Sequence, residues 1–78
     1  MLLLDIYVKE INAGSDQIVC PSQSVFNIIG SPNGGIWSGT HVTNSNLGTF
    51  DPSLGLGQSI VTYTFNGCTD TTVYNVVD

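Results

Sequence analysis

The stretch Ser59-Ile60-Val61-Thr62-Tyr63-Thr64-Phe65-Asn66-Gly67-Cys68-Thr69-Asp70-Thr71-Thr72-Val73-Tyr74-Asn75-Val76-Val77 decides the fold class. Val61, Tyr63 and Phe65 fall at every second position, which in an extended chain places all three on one face. Asn66-Gly67 accepts the positive φ values of a tight two-residue turn. Beyond the turn the chain returns with Val73 and Val77, or Tyr74 and Val76, facing inward. The pattern predicts a β-hairpin.

Outward from the hairpin, further short β-rich runs appear between turn residues. Leu2 to Ile11 alternates, with Leu2, Leu4, Ile6 and Val8 on one face, and Asn12-Ala13-Gly14-Ser15 ends it. Gln17 to Cys20 stops at Pro21. Ser24 to Ile29 offers Phe26 and Ile28 to one side and Val25 and Ile29 to the other, which places it mid-sheet or between layers. Asn33-Gly34-Gly35 then predicts a tight hairpin turn before Ile36-Trp37-Ser38. Weaker strands fit His41 to Thr43 and Leu47 to Phe50. No window carries helical periodicity. Short strands at 8- to 12-residue spacing with one Trp and Gly-rich turns predict an all-β protein, a small antiparallel sandwich of about seven strands. Its expected core is Phe26, Ile28, Trp37, Val61, Tyr63 and Phe65. Residues 1–11 read as an N-terminal strand or the tail of a preceding unit, and residues 12–78 as the module itself.

Composition narrows the partners. The 78 residues hold one cation, Lys9, against six acids, for a net charge of −5. Such a chain has no electrostatic footprint for phosphate backbones or anionic membrane surfaces, which argues against nucleic acid and membrane partners. No apolar run approaches the roughly 20 residues of a spanning helix. Met1-Leu2-Leu3-Leu4 lacks the cationic flank and cleavage site of a signal peptide, so export of a secreted parent would rest on signals outside these residues.

Cys20 and Cys68 are the only cysteines. An even count in a small, Lys-poor domain favours a disulfide, whereas zinc needs four ligands and the chain has two Cys and one His. Two buried free thiols are the alternative. Closing the intervening loop would stabilise a domain of this size by roughly 4 kcal/mol in the chain-entropy model.

Four segments in order carry a resemblance: Asn12 to Cys20, Gly34-Gly35-Ile36-Trp37-Ser38-Gly39, Phe50-Asp51-Pro52, and Tyr63-Thr64-Phe65-Asn66-Gly67-Cys68. Together they resemble the PKD-like and Ig-like repeat modules of large Bacteroidota surface proteins, including gliding-type adhesins exported by type IX secretion. The resemblance covers residues 12–77. The family has a small residue where this chain has His41, and its pattern does not include the first ten residues. The resemblance implies an extracellular or cell-surface β-sandwich, repeated in tandem, that spans distance or presents a binding surface without catalysis. It also implies the pairing of Cys20 with Cys68. In a standard Ig-like topology, however, those two positions sit at opposite ends of the sandwich, about 20 Å apart, too far for a bond that needs Cα atoms within about 7 Å.

Other chemistry is thinly represented. Ser38, His41 and Asp51 have the residue types of a hydrolytic triad but no nucleophile-elbow sequence, so the chain is not expected to be an enzyme, and His41 reads as a loop residue. Asp16, Asp51 and Asp70 are weak calcium candidates, being turn acids with no D-x-D-x-D loop; no cofactor is expected otherwise. Trp37 reads as a core centrepiece and Tyr63 as a tyrosine-corner residue. The expected function is a non-catalytic structural or adhesive module whose partners are neighbouring copies or domains of the same protein. One alternative is a carbohydrate- or protein-binding module exposing Trp37 or a Tyr7/Tyr74 patch to surface glycans or proteins. The other is a fibre subunit that donates Leu2 to Ile11 as a strand to a neighbour.

Overall fold

The computed structural model describes residues 11–78. The N-terminal strand expected over Leu2 to Ile11, including Leu2, Leu4, Ile6 and Val8, lies outside the described residues apart from Ile11. Seven strands follow: β1 (Gln17–Val19), β2 (Phe26–Asn27), β3 (Ile36–Ser38), β4 (Val42–Asn44), β5 (Thr49–Phe50), β6 (Gly57–Phe65) and β7 (Cys68–Val76). A short 3-10 turn, Pro52–Leu54, precedes β6. The protein is all-β, with a four-stranded sheet in the order β1-β7-β6-β3 and a three-stranded sheet in the order β2-β5-β4.

The β6–β7 hairpin is the spine of the larger sheet. Its register runs without a break from Phe65 opposite Cys68 to Gly57 opposite Val76. Asn66 and Gly67 take φ values of 53° and 82°, so the two-residue turn has the left-handed geometry that suits the twist of the flanking strands. The alternation places Ser59, Val61 and Tyr63 inward on β6 and Thr72, Tyr74 and Val76 inward on β7. Of the two faces offered for the return strand, the Tyr74/Val76 face is the buried one.

The layers meet through aromatic rings. Phe50 of the smaller sheet lies 4.9 Å from Tyr74 of the larger, and Phe26 stacks on Phe50 at 5.5 Å between centroids. Ile28, Trp37, Val61 and Tyr63 are buried, while Phe26 and Phe65 are partly buried against that cluster. The outer face of the hairpin is free of charge: Thr62 pairs with Thr71, Thr64 with Thr69 and Ile60 with Val73.

Three expectations need correction. Ser24 to Ile29 is not mid-sheet: only Phe26 and Asn27 pair, on the edge of the smaller sheet, and Val25 and Ile29 are exposed. Asn33-Gly34-Gly35 does not close a hairpin, because β2 and β3 belong to different sheets and the segment crosses between layers. The sandwich is also not wholly antiparallel, since β1 runs parallel to β7 with Gln17, Ile18 and Val19 opposite Tyr74, Asn75 and Val76.

The parallel β1 decides the fate of the cysteines. Val19 is level with Val76, so Cys20 is level with Val77, nine positions beyond Cys68. At about 3.3 Å per residue the two lie about 30 Å apart along the sheet, several times the reach of a disulfide. Both are free and exposed. The expected Cys20–Cys68 bond therefore does not form within the chain, and neither thiol is buried. Under dilute conditions the intact mass should be that of the dithiol, and a reductant should leave the melting temperature unchanged; a monomer lighter by two hydrogens would overturn this placement.

Candidate functional site

The parallel β1 also separates the sandwich into two distinct ends. At the hairpin-turn end, Asn12 bridges to Ser31 through paired backbone hydrogen bonds of 2.8 and 2.9 Å. There the Ala13 N–H donates to the Asp70 carboxylate at 2.8 Å. At the other end, the Val77 N–H donates to the Val19 carbonyl and the chain leaves beside Cys20. Residues 12–13 and 77–78 thus occupy opposite poles of the body, the first with Cys68 and the second with Cys20.

The hairpin-turn pole holds a cavity of about 250 Å³ that opens to solvent. Its floor is the Trp37–Tyr63 pair, with ring centroids 4.3 Å apart. One wall is the β2–β3 crossing with Ile29, Gly30 and Asn33, and the opposite wall is Asn46 and Leu47 from the β4–β5 turn. No charged side chain lines it. Its volume lies just under the range of pockets that enclose drug-sized molecules, so it has room for one ring or one branched side chain.

Hydrogen bonds fix these walls. The Tyr63 hydroxyl donates to the Pro32 carbonyl and accepts from the Gly35 N–H at 2.9 Å, which holds the crossing segment onto the floor. The Asn44 carboxamide oxygen accepts from the Asn46 and Leu47 amides at 3.0 and 3.1 Å. The Trp37 N–H donates to the Ser45 carbonyl, and the Ile28 N–H to the Gly48 carbonyl, both at 2.8 Å. Close approach requires glycine at two places: a Cβ on Gly30 would stand 2.7 Å from the Trp37 ring, and one on Gly48 would stand 2.7 Å from its indole nitrogen. Against such a held wall, Ile29 stays 83% exposed and Leu47 57% exposed.

The opposite pole is apolar in a different way. Leu54 and Leu56, on the segment entering β6, are 56% and 62% exposed, Val77 is exposed just past the Gly57–Val76 pair, and Cys20 is exposed on the other side of β7 from β6. Beneath them runs a partly buried polar line. His41 is buried and stacks on Phe50 at 5.2 Å. Its Nε2 lies 2.7 Å from the Gly55 carbonyl, so Nε2 carries the proton and donates there. Its Nδ1 then accepts from the Thr40 hydroxyl at 3.1 Å, and that hydroxyl is 3.2 Å from the buried Ser59 Oγ. The loop position expected for His41 holds, but burial was not legible there, because its signal lies in Gly55, 14 residues away, and in the Phe50 ring it stacks on.

The remaining candidate residues serve the backbone. Ser38 is exposed on β3, both His41 nitrogens are engaged elsewhere, and Asp51 caps the 3-10 turn, so the geometry does not assemble a triad from Ser38, His41 and Asp51. Asp51 accepts from the Ser53 hydroxyl at 2.7 Å and the Ser53 N–H at 3.0 Å, and those two bonds hold its carboxyl below the ordinary carboxylate range. A depressed carboxylate pKa favours the folded state above the unfolded value, and that contribution fades as pH falls through the folded value. Asp16 accepts from the Val73 N–H at 3.0 Å and the Thr72 hydroxyl at 3.1 Å. Among the described residues, no three His, Cys, Asp or Glu side chains come together as a metal site, so Asp16, Asp51 and Asp70 remain separate. Trp37 is 4% exposed and meets solvent only as part of the cavity floor, and Tyr74 is buried, so neither stands out from the surface as a ring platform; Tyr7 lies outside the described residues.

No protein-family model matches the chain, and neither does any curated protein or solved structure.

Proposed function

We propose that this chain is a non-catalytic extracellular module of a large bacterial surface protein, one unit of a tandem array that sets distance or presents a binding surface. The observation that carries the reading is the path of the backbone: residues 12–13 lie at one pole and residues 77–78 at the other. A unit threaded in this way adds its full length to an array, whereas one with adjacent ends would hang to the side. The low content of charged residues, the all-β body and the resemblance of the four segments to PKD-like repeats support the same role. The intramolecular disulfide contributes nothing to it, because the thiols are far apart.

A direct test fuses two copies of residues 12–78 through the native 1–11 segment and measures their scattering envelope. Each added copy should lengthen the particle by about 30 Å, the span of a nine-residue strand pair. A fused pair no longer than the single unit would reject the spacer role.

A second reading, a ligand-binding module, has the uncharged cavity at the hairpin-turn pole in its favour. It no longer rests on an exposed Trp37.

A further inference from the structure

We infer that the two poles are complementary halves of a head-to-tail contact between copies of this chain, closed by a disulfide from Cys20 of one copy to Cys68 of the next. The inference rests on the array reading above and names the joint.

Three features converge on it. The hairpin-turn pole is concave, with a preformed cavity flanked by the exposed Ile29 and Leu47, while the opposite pole presents the exposed Leu54 and Leu56. Leucine is a branched side chain of the size this cavity admits. An uncharged hollow on one end and an apolar projection on the other make a heterologous pair of surfaces. Repetition of such a pair gives an open filament rather than a closed dimer. Preorganised walls favour this contact, because the Tyr63, Asn44 and Ile28 hydrogen bonds already hold the cavity in shape before anything enters.

The second feature is the placement of the thiols. Each pole carries one exposed cysteine, Cys68 on the concave end beside Phe65 and Cys20 on the projecting end beside Val77. Cys68 lies on β7, two places across from β3, which flanks the cavity, so the lateral offset between those strands is about 10 Å. When one copy's leucines enter the next copy's hollow, the two thiols face one another across a single joint. The third feature is the chain path, which brings residues 77–78 of one unit to the same joint as residues 12–13 of the following one.

The bond forms by exchange with a small-molecule disulfide such as oxidised glutathione. One thiolate attacks that disulfide, and one reduced glutathione leaves. The second thiolate then attacks the mixed disulfide, and a second reduced glutathione leaves. Two protein thiols are oxidised and one glutathione disulfide is reduced, with two protons passing to the released thiols.

The test uses the full chain and its two single variants, Cys20→Ser and Cys68→Ser, in a glutathione redox buffer, read by non-reducing electrophoresis and peptide mass mapping. The wild type should give a ladder of multimers whose bridging peptides join Cys20 to Cys68. Each variant alone should stay monomeric, and an equimolar mixture of the two should yield a dimer at least tenfold more abundant than either alone. Leu56→Glu should cut the ladder by about tenfold while near-ultraviolet circular dichroism shows an unchanged fold. Homotypic bridges as abundant as mixed ones, or variants that dimerise alone as well as in the mixture, would overturn the joint. The fused-pair scattering measurement is insensitive to the thiols, so failure of the joint and failure of the array reading are separable.

Discussion

Trp37→Ala should destabilise the module by about 4 kcal/mol and lower its melting temperature by roughly 20 °C, the largest loss of any single truncation in this core. The cost of a large-to-small change depends on how far the neighbours can collapse into the space left behind. Here they cannot. The indole is held between the Tyr63 ring, 4.3 Å away, and the backbones of Gly30 and Gly48, which approach it because they carry no side chains. Filling the void would require moving backbone that is already committed, since Gly48 accepts from the Ile28 N–H and the Trp37 N–H itself is paired with Ser45. Urea unfolding followed by far-ultraviolet circular dichroism would measure the loss. A change below about 1 kcal/mol would mean that Trp37 is not the centrepiece of the core.

Gly35→Ala is the complementary case, too much volume instead of too little. A Cβ at position 35 would stand 2.5 Å from the Thr64 carbonyl oxygen and 2.6 Å from the Tyr63 ring. The first obstacle is backbone in the β3–β6 pairing, where Ile36 is opposite Thr64. The second is a ring whose hydroxyl is tied on both sides, to Pro32 and to Gly35 itself. Neither can yield without breaking a hydrogen bond, so the added methyl should cost about 3 kcal/mol, at the upper end for overpacking. Gly55→Ala serves as the control. Its Cβ would meet only the His41 ring nitrogen at 3.8 Å, and its extended φ suits any residue, so the change should stay within about 0.5 kcal/mol. Equal stability of the two variants in parallel urea titrations would refute the close approach at Gly35.

These two predictions act at the floor of the cavity, which links stability to the proposed joint. Trp37, Tyr63 and their glycines hold the hollow open and also hold the core closed. A module with a softened floor should associate less well before it unfolds. Leu54 and Leu56 lie outside the core, and changes there should act on association alone.

The amino-acid sequence by itself determined the all-β class, the β6–β7 hairpin and the face of β6 that turns inward. Those features are local: alternation has a period of two, and Asn66-Gly67 specifies its own turn conformation. Only the tertiary structure decided which strands share a sheet. Ser24 to Ile29 has apolar residues on both sides, and nothing within it says that it ends at an edge. Asn33-Gly34 has the chemistry of a hairpin turn, yet its neighbours pair with β5 and β6 and not with each other. The cysteines follow the same logic. Their number and spacing suggested a bond, but the parallel pairing of Gln17–Val19 with β7 sends Cys20 to the far pole. Pairing between strands distant in sequence is set by how the two layers bury Phe50, Tyr74 and Trp37 together. No short window of residues contains that information. The poles, and with them the cavity and the two separated thiols, are consequences of that choice.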